Sequence, residues 1–106
     1  MSHASARLEL LREMHQKDPK DGFVAYGLAM ELAKNPATAD EAVLTFRKLL
    51  GEVPDYLPAY LQFGMLLVRR GEDADARQVY AQGIELARKE GDQHTQSELE
   101  AALDLL

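Results

Sequence analysis

The sequence predicts an all-α protein made of repeated helical hairpins, and three observations lead to that fold class. Apolar residues recur every three or four positions through most of the 106 residues, as they do along one face of an α-helix. No stretch alternates apolar and polar residues in the way of a half-buried strand. The chain also matches itself at a shift of 35 and then 34 residues, a period typical of stacked helical hairpins.

The self-match joins two stretches of the chain. At a shift of 35 residues it pairs Pro19 with Pro54, Leu28 with Phe63, Ala29 with Gly64 and Leu32 with Leu67, and at a shift of 34 it pairs Ala42 with Ala76, Phe46 with Tyr80, Leu49 with Gly83 and Leu50 with Ile84. One residue is therefore inserted in the first repeat, between Leu32 and Ala42, where Asn35-Pro36 supplies a helix breaker. A small residue at Ala29 and at Gly64 is expected to let the backbone of an adjacent helix approach closely.

The breaks between the apolar stretches predict six helices. We place them at about residues 4–17, 21–34, 39–51, 56–70, 73–90 and 95–105. The last one starts after Gly91-Asp92, and Thr95-x2-Glu98 has the pattern of a capping box. We expect a single domain over 1–106, with a leading helix at 4–17, one repeat at 20–54, a second repeat at 55–90 and a C-terminal capping helix at 92–106.

The residues of the second repeat carry a family resemblance. Its motif is Tyr60-x2-Phe63-Gly64-x2-Leu67 followed by Ala76-x3-Tyr80, and a weaker copy, Ala25-x2-Leu28-Ala29-x2-Leu32 with Ala42-x3-Phe46 and Pro54, precedes it. This pattern resembles the tetratricopeptide repeat over about residues 5–88. It departs from the family where Ala25 replaces a large aromatic residue and where Arg88 replaces a closing proline. The resemblance implies a short right-handed α-solenoid with a flanking helix at each end.

The first helix of each repeat is apolar on nearly all sides, and the resemblance implies that these helices line a concave surface. We therefore expect a partner-binding groove lined by Phe23, Tyr26, Met30, Leu61, Met65 and Val68. Aromatic and methionine side chains at helical spacing suit an amphipathic helix or an extended apolar peptide. Lys34 and Arg69 form the groove rim, either as cations that orient an acidic segment of a partner or as solvated helix-end residues.

Three other interpretations of the groove are open at this point. Its six side chains can be core residues that the chain's own end helices cover. Two chains can bury their grooves against each other in a homodimer. A pocket between the groove and the last helix can bind a small molecule or a substrate. The family's clamp for terminal carboxylates is not predicted, because Lys, Asn and Arg do not occupy the groove positions.

The composition gives little support to other classes of function. The chain has no cysteine, and its three histidines, His3, His15 and His94, share no helix face, so no metal site is predicted. No nucleotide-binding or nucleophile motif occurs, and we predict neither a cofactor nor enzyme activity. A net charge of −6 disfavours nucleic-acid binding, and no apolar run is long enough to cross a membrane. The sequence thus predicts a cytoplasmic adaptor or scaffold that binds a protein or peptide.

Overall fold

A computed structural model describes residues 3–106, with side chains from residue 6 onward. Its elements are α1 (His3–Lys17), α2 (Gly22–Ala33), a short 3₁₀ helix (Pro36–Thr38), α3 (Ala39–Glu52), α4 (Pro58–Arg69), α5 (Asp73–Glu90) and α6 (Gln93–Asp104). The described part of the chain contains six α-helices and no strand. This arrangement confirms the predicted all-α fold class.

The described residues form two compact units, one ending at Pro54 and the other beginning at Asp55. The first unit contains α1, α2 and α3, and the second contains α4, α5 and α6. Within each unit, helices that follow each other along the chain pack together. The single domain with a leading helix, two repeats and a capping helix remains a prediction.

The core of the first unit lies between α2 and α3. Its buried apolar residues are Val24, Ala25, Leu28, Ala29 and Leu32 of α2, and Ala39, Ala42, Phe46 and Leu49 of α3. Their spacing of three and four residues lets each helix bury one face. Helix α1 packs against α2, but none of its described side chains is buried.

Ion pairs attach α1 to the other helices of the first unit. Arg12 donates two hydrogen bonds to the carboxylate of Glu41 on α3, and this bonding raises the pKa of Arg12. Glu31 of α2 is only 8 % exposed, and its carboxylate pairs with Arg7 at 3.0 Å and with Lys34 at 2.7 Å. A buried carboxylate requires such partners because desolvation disfavours its charge. Glu31 therefore holds the first helix against the second.

The connection that contains the inserted residue of the first repeat forms the 3₁₀ helix, an element that the sequence did not predict. Asn35 caps this helix, since its side-chain oxygen accepts a hydrogen bond from the N–H of Ala37 at 2.9 Å. The hydroxyl of Thr38 donates to the carbonyl of Leu32 at 2.6 Å and so satisfies an end carbonyl of α2. The second repeat makes the same connection with a shorter turn, in which Gly71 adopts a left-handed φ of 77°.

The core of the second unit lies among α4, α5 and α6. Its buried apolar residues are Leu57, Ala59, Tyr60, Phe63, Leu66, Leu67, Ala76, Val79, Tyr80, Ala87 and Leu99. Two glycines make room for aromatic side chains in this core. A Cβ at Gly64 would overlap the ring of Tyr80, and a Cβ at Gly83 would lie 2.7 Å from the Cβ of Tyr60. The close approach expected at Gly64 is therefore made by an aromatic ring and not by a helix backbone.

Helix α6 begins at Gln93, directly after the Gly91-Asp92 break. Asp92 is its N-cap, because the carboxylate accepts hydrogen bonds from the N–H of Thr95 at 3.0 Å and from the Thr95 hydroxyl at 2.8 Å. These two bonds lower the pKa of Asp92. The predicted capping box of Thr95 and Glu98 is wrong, since Thr95 lies inside the first turn of the helix. The cap falls at Asp92 because Gly91, with φ of 72°, ends α5 immediately before it.

Candidate functional site

Three predicted groove residues follow one side of α2. Phe23 is 76 % exposed, and Tyr26 and Met30 are half-buried. The other side of this helix is buried in the core of the first unit. Spacings of three and four residues place the three side chains on one face. We call these three residues the α2 surface.

The other three predicted groove residues follow one side of α4. Met65 is 40 % exposed, and Leu61 and Val68 are half-buried. We call these three residues the α4 surface. None of the six groove residues is among the buried residues of the structure, which argues against the interpretation that they form the core. Their assembly into one groove stays a prediction, because each surface belongs to a different unit.

The end of α6 lines a cavity together with the α4 surface. The cavity has a volume of about 350 Å³ and is lined by Met65, Val68, Arg69, Tyr80, Ala102, Leu105 and Leu106. Further back along α6, Leu99 is fully buried, and a Cβ at Gly83 would lie 3.0 Å from its side chain. The last helix therefore covers α5 with its middle and lines the cavity with its C-terminal end.

The two predicted rim cations differ in their surroundings. Lys34 donates a hydrogen bond to Glu31 at 2.7 Å, so it is paired with a carboxylate of the first unit. Arg69 lies near the buried ring of Tyr80. Burial raises the pKa of the Tyr80 hydroxyl, and the positive charge of Arg69 opposes that rise. Lys34 and Arg69 therefore occupy equivalent positions in the two repeats but have different electrostatic surroundings.

No metal site appears in the described part of the chain. Its His, Asp and Glu side chains form no group that could hold a metal ion. His94 lies 3.4 Å from Glu98 on the surface of α6, whereas the side chain of His3 lies outside the described residues. His15 is half-buried, and its Nδ1 is buried without a hydrogen-bond partner. It lines a narrow space of about 10 Å³, room for about one water molecule.

Sequence reasoning missed two features of these surfaces. Glu31 is not among the predicted site residues, although it is the one charged residue between Gly22 and Ala33, and a lone acid in an apolar helix is a signal for a buried ion pair. The sequence predicts the cavity only as a pocket between the groove and the last helix. Its lining by Leu105, the C-cap of α6, has no sequence signal, because helical periodicity does not specify where the end of a helix meets its neighbour.

Two of the solved structures similar to this chain are tetratricopeptide repeat domain proteins. A crystal structure of a tetratricopeptide repeat domain protein from Salinibacter ruber is 42 % identical, with a TM-score of 0.71 over 78 % of this chain and 91 % of that chain. A solution NMR structure of such a protein from the same organism is 43 % identical, with a TM-score of 0.75 over 81 % and 86 %. A solution structure of a protein from Bordetella parapertussis is 28 % identical, with a TM-score of 0.77 over 92 % and 84 %.

These similarities decide the family. A scan against protein-family models found no match, and a search of curated proteins found none either. The chain belongs to the tetratricopeptide repeat family, because the two Salinibacter ruber proteins are 42 % and 43 % identical to it and are covered to 91 % and 86 % of their lengths. The resemblance inferred from the motif of the second repeat is thereby confirmed. Members of this family typically act as non-enzymatic scaffolds for protein interactions, and the family supports protein partners for this chain. Among the described helices, none has the length and apolar content needed to cross a bilayer.

Proposed function

We propose that this chain is a non-enzymatic, cytoplasmic adaptor or scaffold that binds a peptide or an amphipathic helix through its α2 and α4 surfaces. One observation carries the proposal. Tyr26 aligns with Leu61, and Met30 aligns with Met65, at the 35-residue shift of the repeat. All four positions are apolar, and none of them is buried. The repeats thus present apolar side chains at equivalent positions that their own cores do not use.

The chemistry of the two surfaces favours an apolar or amphipathic partner. Covering exposed apolar side chains removes them from water and is the main source of binding free energy. Methionine adapts its shape to different partners because its side chain is unbranched and polarisable. The exposed ring of Phe23 offers a large area for contact. These properties support a helix or extended segment with large apolar residues on one side.

The first prediction concerns this binding. Met65→Asp and Phe23→Asp should each weaken the partner's binding by about tenfold or more, because a charge in an apolar contact must be desolvated. Leu44→Asp is the matched control, since Leu44 is 67 % exposed but lies on α3. Partners captured from a native lysate by the wild type are identified and then titrated against the three variants. Circular dichroism and thermal melting verify that each variant is folded.

The control makes the outcome decisive. Equal loss of binding in the Leu44 variant, or unchanged binding in both groove variants, would contradict the proposal. Sedimentation across a range of concentrations tests the alternative that the surfaces join two copies of the chain. A monomer at every concentration removes the homodimer, whereas a dimer that Met65→Asp dissociates would replace the foreign partner with a second copy.

A further inference from the structure

The cavity of the second unit has the size of a small-molecule site. Its volume is about 350 Å³, and ligand pockets begin at about 300 Å³. A dry apolar cavity of about 150 Å³ holds benzene, so this one has room for an aliphatic group of about ten carbon atoms. Five of its seven lining residues are Met65, Val68, Ala102, Leu105 and Leu106, all apolar. The walls therefore suit a hydrocarbon chain.

Arg69 gives the cavity one positive charge. Its side chain is the only charged one of the lining, and no carboxylate of the described residues forms an ion pair with it. The next residue, Arg70, differs because its guanidinium approaches Glu72 at 3.7 Å. A guanidinium keeps its charge at every physiological pH and can donate two parallel hydrogen bonds to a carboxylate. An apolar wall beside such a group matches a molecule that has a hydrocarbon chain and a carboxylate end.

We propose that this cavity binds a medium-chain aliphatic monocarboxylate. Its hydrocarbon chain lies against Met65, Val68 and Leu106, and its carboxylate bonds to the guanidinium of Arg69. Leu105 lines the cavity yet is 88 % exposed, so it lies at the mouth. This site belongs to the second unit alone, and the ligand is a small molecule, so the inference goes beyond the proposed binding of peptides.

Decanoate, decanol and decyltrimethylammonium are the probes that test the proposal, with the two ionic probes used below their micelle concentrations and decanol below its solubility limit. We expect decanoate to bind the full chain with one site per molecule in calorimetry and to bind at least about tenfold more tightly than the cationic probe. In NMR spectra, its chemical-shift changes should be confined to α4, α5 and α6. Raised salt should weaken the binding of decanoate, because its contact with the exposed guanidinium is screened. It should leave the binding of decanol unchanged.

Two variants separate the charge from the cavity. Arg69→Gln should weaken the binding of decanoate about tenfold and leave the binding of decanol unchanged. The control is Arg77→Gln, which removes an exposed cation of α5 outside the lining and should change the binding of neither probe. Leu105→Asp places a carboxylate at the mouth without disturbing the core. This variant should bind decanoate more weakly and decyltrimethylammonium more tightly than the wild type. Circular dichroism verifies that all three variants are folded.

Several results would overturn the proposal. These are equal binding of the three probes, an unchanged affinity of Arg69→Gln for decanoate, shift changes spread over the first unit, and dimer formation on adding decanoate. Phe23→Asp distinguishes this site from the peptide-binding surfaces, because Phe23 lies on α2 in the other unit. That variant should keep decanoate binding while it loses the peptide partner. Either proposal can therefore fail without the other.

Discussion

At the residue scale, the two repeats place large and small side chains in opposite order at one helix contact. In the second unit, Tyr60 on α4 packs against Gly83 on α5. The aligned residues of the first unit are Ala25 on α2 and Leu49 on α3, which are both buried and line the same narrow space. The large residue thus moves from one helix to the other. The departure from the family motif at Ala25 is compensated by Leu49, as close packing requires.

The second prediction tests the contact between Gly64 and Tyr80. Gly64→Ala should lower the free energy of unfolding by about 1–3 kcal/mol, because the new methyl group overlaps a ring that is only 2 % exposed. Gly51→Ala is the matched control, since a Cβ there meets nothing within 4 Å. It should raise stability by about 0.5–1 kcal/mol, the usual gain of alanine over glycine inside a helix. Urea denaturation measures both, and stabilisation by Gly64→Ala would show that the ring does not fill this space.

At the scale of the helices, the start of α6 depends on one carboxylate. The third prediction is that Asp92→Ala lowers the melting temperature at neutral pH, because α6 loses both hydrogen bonds to Thr95. The folded pKa of Asp92 is lowered, so its charge-dependent stabilisation is fully present above the unfolded pKa. It is lost as the pH falls through the folded value. The difference from the wild type should therefore shrink below pH 3.8, the ordinary value.

A second substitution in α6 controls for the change of residue type. Glu100 is exposed in the same helix, so Glu100→Ala should leave the melting temperature nearly unchanged at every pH. Thermal melts at several pH values compare the two variants with the wild type. A deficit of Asp92→Ala that stays constant from neutral to strongly acidic pH would contradict the role of the carboxylate.

The helices also indicate what a sequence can predict about this fold. Their number and order follow from apolar spacing and from the 34-residue and 35-residue shifts, because each helix must bury one face. The cap of α6 could not be placed in the same way. Asp92 and Thr95 are both good cap residues, and the choice depends on the left-handed conformation of Gly91, which ends α5. Residue chemistry alone allows α6 to be capped at either position, and the turn at Gly91 places the cap at Asp92.

At the scale of the whole molecule, stability should differ among the helices. The fourth prediction is that amide hydrogen exchange is fastest in α1 and slowest in α4 and α5. Helix α1 buries none of its described side chains, whereas α4 and α5 contain the buried residues Phe63 and Tyr80. Its attachment includes the ion pair of Arg12 with Glu41, whose side chains are 39 % and 43 % exposed. Exposed pairs contribute about 0–1 kcal/mol and weaken in salt.

Exchange measured at low and high salt tests this order. Added salt should speed exchange in α1 and leave α4 and α5 nearly unchanged. Protection of α1 equal to that of α4 would contradict the prediction.

The candidate site shows the same division between what patterns reveal and what they do not. Periodicity predicted exposed faces on α2 and α4. It could not predict the hydrogen bond of Lys34 to Glu31, because that bond depends on how deeply Glu31 is buried.

The opposite order of large and small residues has a consequence for the folding of a chain with related repeats. Related hairpins can exchange helices as they form. If α2 paired with α5, Ala25 would face Gly83 and leave a void, and if α4 paired with α3, Tyr60 would collide with Leu49. Both errors are unfavourable. Each helix is therefore matched by volume to its own neighbour, and this matching guards the chain against misfolded hybrids of its two hairpins.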